Sequence, residues 1–251
     1  MMYSFYSKLS TEVYDLDKPI GHSFGDVEYY KERLKGVKGR ILEPAVGTGR
    51  ILIPLINEGF DVDGIDYSPY MLELCHKYCD EHNIKPKLIE GDMSALSLPE
   101  KYEAVIVPTG SFLLLDEREK SLNALQCFYD HLQPGGRLII DLFIPTEYEI
   151  GKRTIRTWEN KEGDLITLES TIIAVDFMKQ SRFSHNKYEK WHNKKLIETE
   201  LEQFPLRWYG VEEFKLVLEK VGFKDITVSA DYEYGNEPKK DSEVMTFEAR
   251  K

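Results

Sequence analysis

From residue 41 to about residue 143 the chain alternates short apolar runs with stretches of helical period. The runs begin at Ile41, Asp61, Lys87 and Ala104, and a fifth follows a Pro-Gly-Gly turn at 134–136. Helical patterns lie between them, one over Arg50–Glu58 and another starting near Pro69 behind Ser68. Strands that alternate with helices imply right-handed crossovers and a parallel sheet. The rhythm changes between about Thr154 and Phe204, where strand patterns follow one another. Ile172, Ile173, Val175 and Phe177 form one run, and in a second Glu198, Glu200 and Glu202 alternate with Ile197, Thr199 and Leu201, giving one charged face. This predicts an antiparallel insertion. A helix with Val211, Phe214, Val217 and Val221 on one face restores the α/β pattern. Two last strands, near 223–234 and 243–250, complete the sheet as a hairpin.

The first run, Ile41-Leu-Glu-Pro-Ala-Val-Gly-Thr-Gly49, ends in a carboxylate and breaks into a glycine turn before a helix. Such a turn lets a ligand approach the main chain closely, as nucleotide-type cofactors do. Glu43, Asp66 and Asp92 close three successive strand-like runs. Parallel sheets line up their carboxyl ends, so the three acids are expected to converge on one crevice. Asp66 lies about 20 residues beyond the turn, where an acceptor for ribose hydroxyls is expected. The nicotinamide fingerprint is incomplete, because its third glycine is replaced by Leu52.

The pattern Glu43-x-Ala45-x-Gly47-x-Gly49 resembles the first motif of class I S-adenosylmethionine-dependent methyltransferases, with Ala45 in place of that family's first glycine. The departure is harmless if φ is negative there. Gly64-Ile-Asp66-Tyr-Ser-x-x-Met71 matches the second motif and Gly91-Asp92-Met93 the third. Ala104 to Phe112 resembles the fourth strand and its loop, Leu132 to Asp141 the fifth strand, and Arg207 to Phe223 the last helix with its exit turn.

The resemblance implies a Rossmann-like, doubly wound α/β fold with a mainly parallel seven-stranded sheet and an antiparallel β insertion after the fifth strand. One domain is expected over 1–251. Its core spans 37–150 and 206–251, a cofactor-covering segment 1–36 and a β lid 151–205. The implied cofactor is S-adenosylmethionine. Ala45, Val46, Gly47 and Gly49 would lie against its methionine part, with Glu43 near the amino group. Asp66 would take the ribose hydroxyls and Asp92 the adenine amino group, with Met93, Tyr67 and Met71 as apolar walls. Pro108 and Thr109 would close beneath the sulfonium, and Tyr14 would cover the site. Ser111, Phe112, Trp158, Arg207 and Tyr209 are the expected acceptor contacts.

The chain has 251 residues and a net charge of −11, which argues against neutralising a phosphate backbone. The fourth strand is followed by Pro108-Thr-Gly-Ser111, not by the Asp/Asn-Pro-Pro-Tyr/Phe loop usual in nucleic-acid amino-methyltransferases. A small-molecule acceptor, methylated on nitrogen or oxygen, is the expected partner. Cys75, Cys79 and Cys127 are expected as reduced thiols with no metal site. Neither a secretion signal nor a membrane span is read, so a cytoplasmic location is expected. The inserted strands are expected to roof the substrate chamber or form a homodimer contact. A base is needed only for a hydroxyl acceptor. His22, Tyr14 and a carboxylate from the roof are candidates, and none is assigned. Methylation of RNA or protein, a nicotinamide-dependent oxidoreductase and a non-catalytic cofactor sensor remain alternatives.

Overall fold

The apolar runs form strands buried along most of their length: β1 (Ile41–Pro44), β2 (Val62–Asp66), β4 (Tyr102–Val107) and β5 (Leu132–Leu142). A computed structural model describes residues 6–251. The first five residues of the expected covering segment lie outside the described residues. β3 (Leu88–Glu90), β10 (Lys224–Ala230) and β11 (Met245–Arg250) complete a seven-stranded sheet of order β10-β11-β5-β4-β1-β2-β3. β11 pairs antiparallel with both β10 and β5, and the remaining pairs are parallel.

Helices cover both faces, which is why these strands read as nearly continuous apolar runs. On one face α5 (Arg118–His131) and α6 (Val211–Val221) bury Leu125, Phe128, Phe214 and Leu218. On the other, α2 (Asp26–Arg33), α3 (Leu52–Asn57) and α4 (Pro69–Glu81) bury Tyr30, Leu52, Leu55 and Cys75. The helix expected over Arg50–Glu58 is shorter, because a turn continues from the glycines to Ile51. α4 starts as its sequence dictates: Pro69 takes the first helical position and the Ser68 hydroxyl accepts the Met71 N–H at 3.3 Å.

The insertion is a separate four-stranded antiparallel sheet, β6 (Arg153–Glu159), β7 (Leu165–Asp176), β8 (Ser181–His192) and β9 (Lys195–Arg207), running two residues past the expected boundary. Its charged face turns inward. Glu202 is 4% exposed, whereas Leu201 is 66% exposed. The reason is the N-terminus of α1 (Lys8–Asp17), whose first N–H groups lack partners within the helix. Glu200 accepts the Leu9 and Ser10 N–H groups at 3.0 and 3.2 Å, and Glu202 accepts Ser7 N–H at 3.1 Å and Ser10 Oγ–H at 2.6 Å. Negative charge at a helix N-terminus is stabilised by the helix dipole as well. Lys190 binds Glu12 at 2.9 Å, Arg156 binds Asp17, and Tyr78 of α4 donates to Asp15, so α1 is tied to both the small sheet and the core.

Gly49 is a packing residue. Its φ is +88°, and a Cβ there would meet Cys75 Sγ at 2.9 Å and Ile53 Cδ1 at 3.2 Å. Gly49→Ala is expected to destabilise the fold by roughly 2–4 kcal/mol through left-handed backbone cost and overpacking. Urea denaturation checks this. Adding Cys75→Ala is expected to restore the steric part alone, and an unchanged midpoint in Gly49→Ala would refute the packing role.

Candidate active site

The strand order reverses between β1 and β4, and open α/β sheets bind ligands at the carboxyl ends beside such a reversal. A cavity of about 340 Å3 opens there. Asp66, at the end of β2, organises its floor. Its Oδ2 accepts Gly47 N–H at 2.8 Å and its Oδ1 accepts Ser68 N–H at 2.9 Å, tying the glycine turn to the cap of α4. Burial pushes its carboxyl above the usual range, and these backbone N–H groups work against that shift.

Asp92 does not end a strand. β3 stops at Glu90, and Asp92 caps a 3-10 turn over Met93–Ala95, accepting Ser94 N–H at 2.8 Å and Ser94 Oγ–H at 2.7 Å, both on Oδ1. It still lines the cavity, as do Met93, Tyr67, Met71, Gly47 and Ala45. Tyr14 comes down from α1. Its hydroxyl oxygen would lie 3.9 Å from a Cβ placed on Gly47, so the lid helix and the glycine turn face each other.

Glu43 lies behind this wall. It is 2% exposed and its Oε2 has no hydrogen-bond partner. Burial drives its carboxyl well above the ordinary range. Asp26 and Asp66 add to the rise, and Arg50 opposes it. Arg50, also buried, donates two parallel hydrogen bonds to the Asp26 carboxylate at the start of α2, donates to the His22 carbonyl at 3.0 Å and faces the Tyr14 hydroxyl. Asp26, Arg50 and Tyr14 thus form a buried charged cluster under the lid. His22 itself is exposed and away from the cavity.

Several of the expected residues lie elsewhere than at the cavity wall, or in another backbone conformation. The φ of Ala45 is +59°, so the departure from glycine falls where glycine is favoured. An alanine there costs about 1–2 kcal/mol of backbone energy. Val46 packs into the core against α3 and α4, and neither it nor Gly49 reaches the cavity. Pro108 is buried. Thr109, at φ +54°, directs its N–H to Asp141 at 2.8 Å, so the loop after β4 is anchored to the end of β5.

Among the expected acceptor contacts only Ser111 lines the cavity. Phe112 and Tyr209 are core residues, their rings 5.6 and 5.2 Å from Phe214, because large aromatics fill the space between the loop after β4 and α6. Trp158 donates to Asp17 at 3.3 Å and packs beside Leu9 and Val13, supporting α1. Arg207 donates to the Asp116 carbonyl at 3.1 Å and so supports the cavity wall from behind.

The structure also adds wall residues that were not expected, namely Tyr6, Gly91, Leu114, Leu115, Asp116 and Lys120. Ser68 had a sequence signal as a helix cap. The 114–120 residues had none, since the fold of the 3-10 turn over Pro108–Leu114 places them.

Residues 41–136 match the family model described as a methyltransferase domain. The matched segment is a methyltransferase domain of the class I, S-adenosylmethionine-dependent type. It is 29% identical over 219 residues to a glycine/sarcosine N-methyltransferase of Aphanothece halophytica, covering 84% of this chain and 76% of that protein. Among solved structures, an S-adenosylmethionine-dependent methyltransferase from Clostridium acetobutylicum superposes with a TM-score of 0.78 at 16% identity, covering 95% of this chain and 96% of that one. The sugar N-methyltransferase KedS8 from Streptoalloteichus superposes with a TM-score of 0.75 at 21% identity, covering 100% and 97%. The methyltransferase is an enzyme whose cofactor is S-adenosylmethionine. Among the described residues no helix is long and apolar enough to cross a membrane.

The anchor of the loop after β4 titrates in a testable window. Asp141 is fully buried, and burial raises its carboxyl to about 6 despite bonds from Thr109, Thr246 and Tyr232. The folded state therefore keeps a proton that the unfolded chain has lost. Its favourable contribution is present below about pH 4 and is lost as pH rises through about 6, a difference of about 3 kcal/mol. Asp141→Asn cannot titrate. The stability of the wild type relative to this variant is expected to fall by that order between pH 4 and 7 in denaturation series, and a pH-independent difference would contradict the assignment.

Proposed function

We propose that the enzyme methylates a nitrogen of a small-molecule acceptor, with the cofactor held at the cavity floor and the acceptor approaching beneath the four-stranded sheet. The observation that carries this reading is the buried Glu43 Oε2, unpartnered beside the glycine turn, together with Asp66 at the switch point. Both fit the cofactor, whose ammonium group would supply the donor that Glu43 lacks and whose ribose would meet Asp66. Asp92, with Oδ2 free of partners among the described residues, is assigned to the adenine amino group. Met71, Met93 and Tyr67 form its apolar surround, and Tyr14 closes the cleft from above.

When bound, the cofactor supplies an electrophilic methyl group on a sulfonium. The chain's own residues supply alignment and water exclusion. Together these effects can lower a barrier by about 7–11 kcal/mol in favourable cases. Tyr14, Tyr6 and the roof exclude water on one side, and the 3-10 turn over Pro108–Leu114 shapes the other. The acceptor face is assigned to β8 and β9, replacing Phe112, Trp158, Arg207 and Tyr209. Asn186 stands opposite Glu202 in register, its buried Oδ1 has no partner, and the Tyr6 ring packs beside Phe204 at 6.4 Å. An unpartnered amide oxygen beside aromatic rings suits an N–H-bearing acceptor. The glycine/sarcosine and sugar N-methyltransferases among the similar proteins support nitrogen over oxygen.

The net charge of −11 weighs against nucleic-acid acceptors, and three free thiols support a reducing, cytoplasmic compartment. Exposed Ile155, Ile197 and Leu201 support a homodimer contact as a second use of the inserted sheet.

Calorimetric titration with S-adenosylhomocysteine tests the cofactor assignment. Saturable binding is expected, weakened at least about tenfold by Asp66→Ala and by Glu43→Gln, the loss typical of a charged hydrogen bond. NADH is expected not to bind. Binding of NADH in place of the homocysteine nucleoside, or unchanged affinity in both variants, would overturn it.

A further inference from the structure

The end of the seven-stranded sheet remote from the catalytic cavity carries a basic row. Strand register sets Lys224 of β10 opposite Arg250 of β11, and Arg250 opposite Arg137 of β5. Arg33, the last residue of α2, lies over the same strands, and its carbonyl accepts Arg137 Nη1–H at 2.7 Å. Like charges directly opposite each other destabilise a sheet. A cavity of about 210 Å3 opens among Arg33, Arg137, Arg250, Thr227, Asp225 and Glu248.

The charges there do not cancel. Glu248 is committed to Arg33, accepting Nε at 2.6 Å and Nη2 at 3.1 Å, and it accepts the Tyr29 hydroxyl at 3.0 Å. The Arg33 guanidinium lies 3.4 Å from the centre of the Tyr234 ring, which fixes it further. Among the described residues Arg137 and Arg250 make no ion pair. Their hydrogen bonds go to the carbonyls of Arg33 and Gly135, at 2.7 and 3.2 Å, and leave other guanidinium N–H groups unused. Burial, reinforced by Arg250, pushes the Arg137 guanidinium below its ordinary pKa. Asp225 is the remaining carboxylate on the wall, so Arg137 and Arg250 leave one positive charge in excess there, and Lys224, outside the wall but opposite Arg250 in register, adds a second in a chain whose net charge is −11.

We propose that this cavity is a second ligand site, which takes a phosphate-type dianion between Arg137 and Arg250. Guanidinium forks match phosphate oxygens bidentately, and the Thr227 hydroxyl on the same wall offers a further donor. A phosphate dianion balances the excess charge and relieves the repulsion across β5, β11 and β10. The volume is below the range of about 300–1,000 Å3 usual for drug-sized ligands, which limits the occupant to a phosphate or a phosphate with a small substituent.

The whole chain is titrated calorimetrically with inorganic phosphate and, separately, with glycerol phosphate, at ionic strength held constant with sodium chloride. Saturable binding is expected, with at least about a tenfold loss of affinity in Arg137→Ala and in the exposed Arg250→Ala. Tighter binding of glycerol phosphate assigns the site to an organic phosphate, and equal binding assigns it to the free ion. S-adenosylhomocysteine binding is expected to be unchanged in Arg250→Ala, which shows the variant folded. A response no larger than that to matched chloride, or an affinity insensitive to both substitutions, would overturn the proposal. The cofactor reading fails separately, by loss of S-adenosylhomocysteine binding with phosphate binding kept.

Discussion

The contact between the Asp66 carboxylate and the Gly47 N–H, 2.8 Å long, is the constraint from which the rest of the site follows. It joins the loops that leave two neighbouring parallel strands, and the other oxygen of the same carboxylate fixes the first residue before α4. One side chain therefore sets the path of the glycine turn, the start of a helix and the depth of the cleft between them. A carboxylate held by several backbone N–H groups keeps one geometry, so it is preorganised for hydroxyl donors from a ligand.

The second constraint comes from above. α1 brings Tyr14 over the glycine turn, and its N-terminal N–H groups end on Glu200 and Glu202 of the inserted sheet. The roof and the lid are thus one assembly. Arg50 extends the connection downward, because it sits in the glycine turn, pairs with Asp26 of α2 and faces Tyr14. Cofactor cleft, lid and roof are thus joined through α1, which meets the roof sheet at its first turn and the Arg50 cluster at Tyr14.

Most of the core was legible in the sequence because its signals are local. Buried parallel strands read as apolar runs, Ser68 and Pro69 announce α4, and the Pro-Gly-Gly turn announces β5. The acids at the crevice were legible because parallel strands bring their carboxyl ends together, although Asp92 reaches the cavity from a 3-10 turn past the strand end. Contacts set by distant packing were not. Phe112 and Tyr209 have the composition of pocket aromatics but fill the core around Phe214, and Trp158 props α1. The alternation of glutamates in β9 revealed a strand and one charged face. That this face turns inward depends on an uncapped helix nearly two hundred residues earlier, which no local pattern contains. Ala45 shows the same limit, since its φ of +59° is imposed by the turn around it.

A crystal structure of the enzyme with S-adenosylhomocysteine tests the role of Asp66 and Glu43 most directly. Ribose hydroxyls are expected on the Asp66 carboxylate, the ligand's ammonium group at Glu43 Oε2, adenine beside Asp92 and Met93, and Tyr14 packed over the ligand. A ligand bound elsewhere, or Glu43 still unpartnered with the cleft filled, would contradict that role.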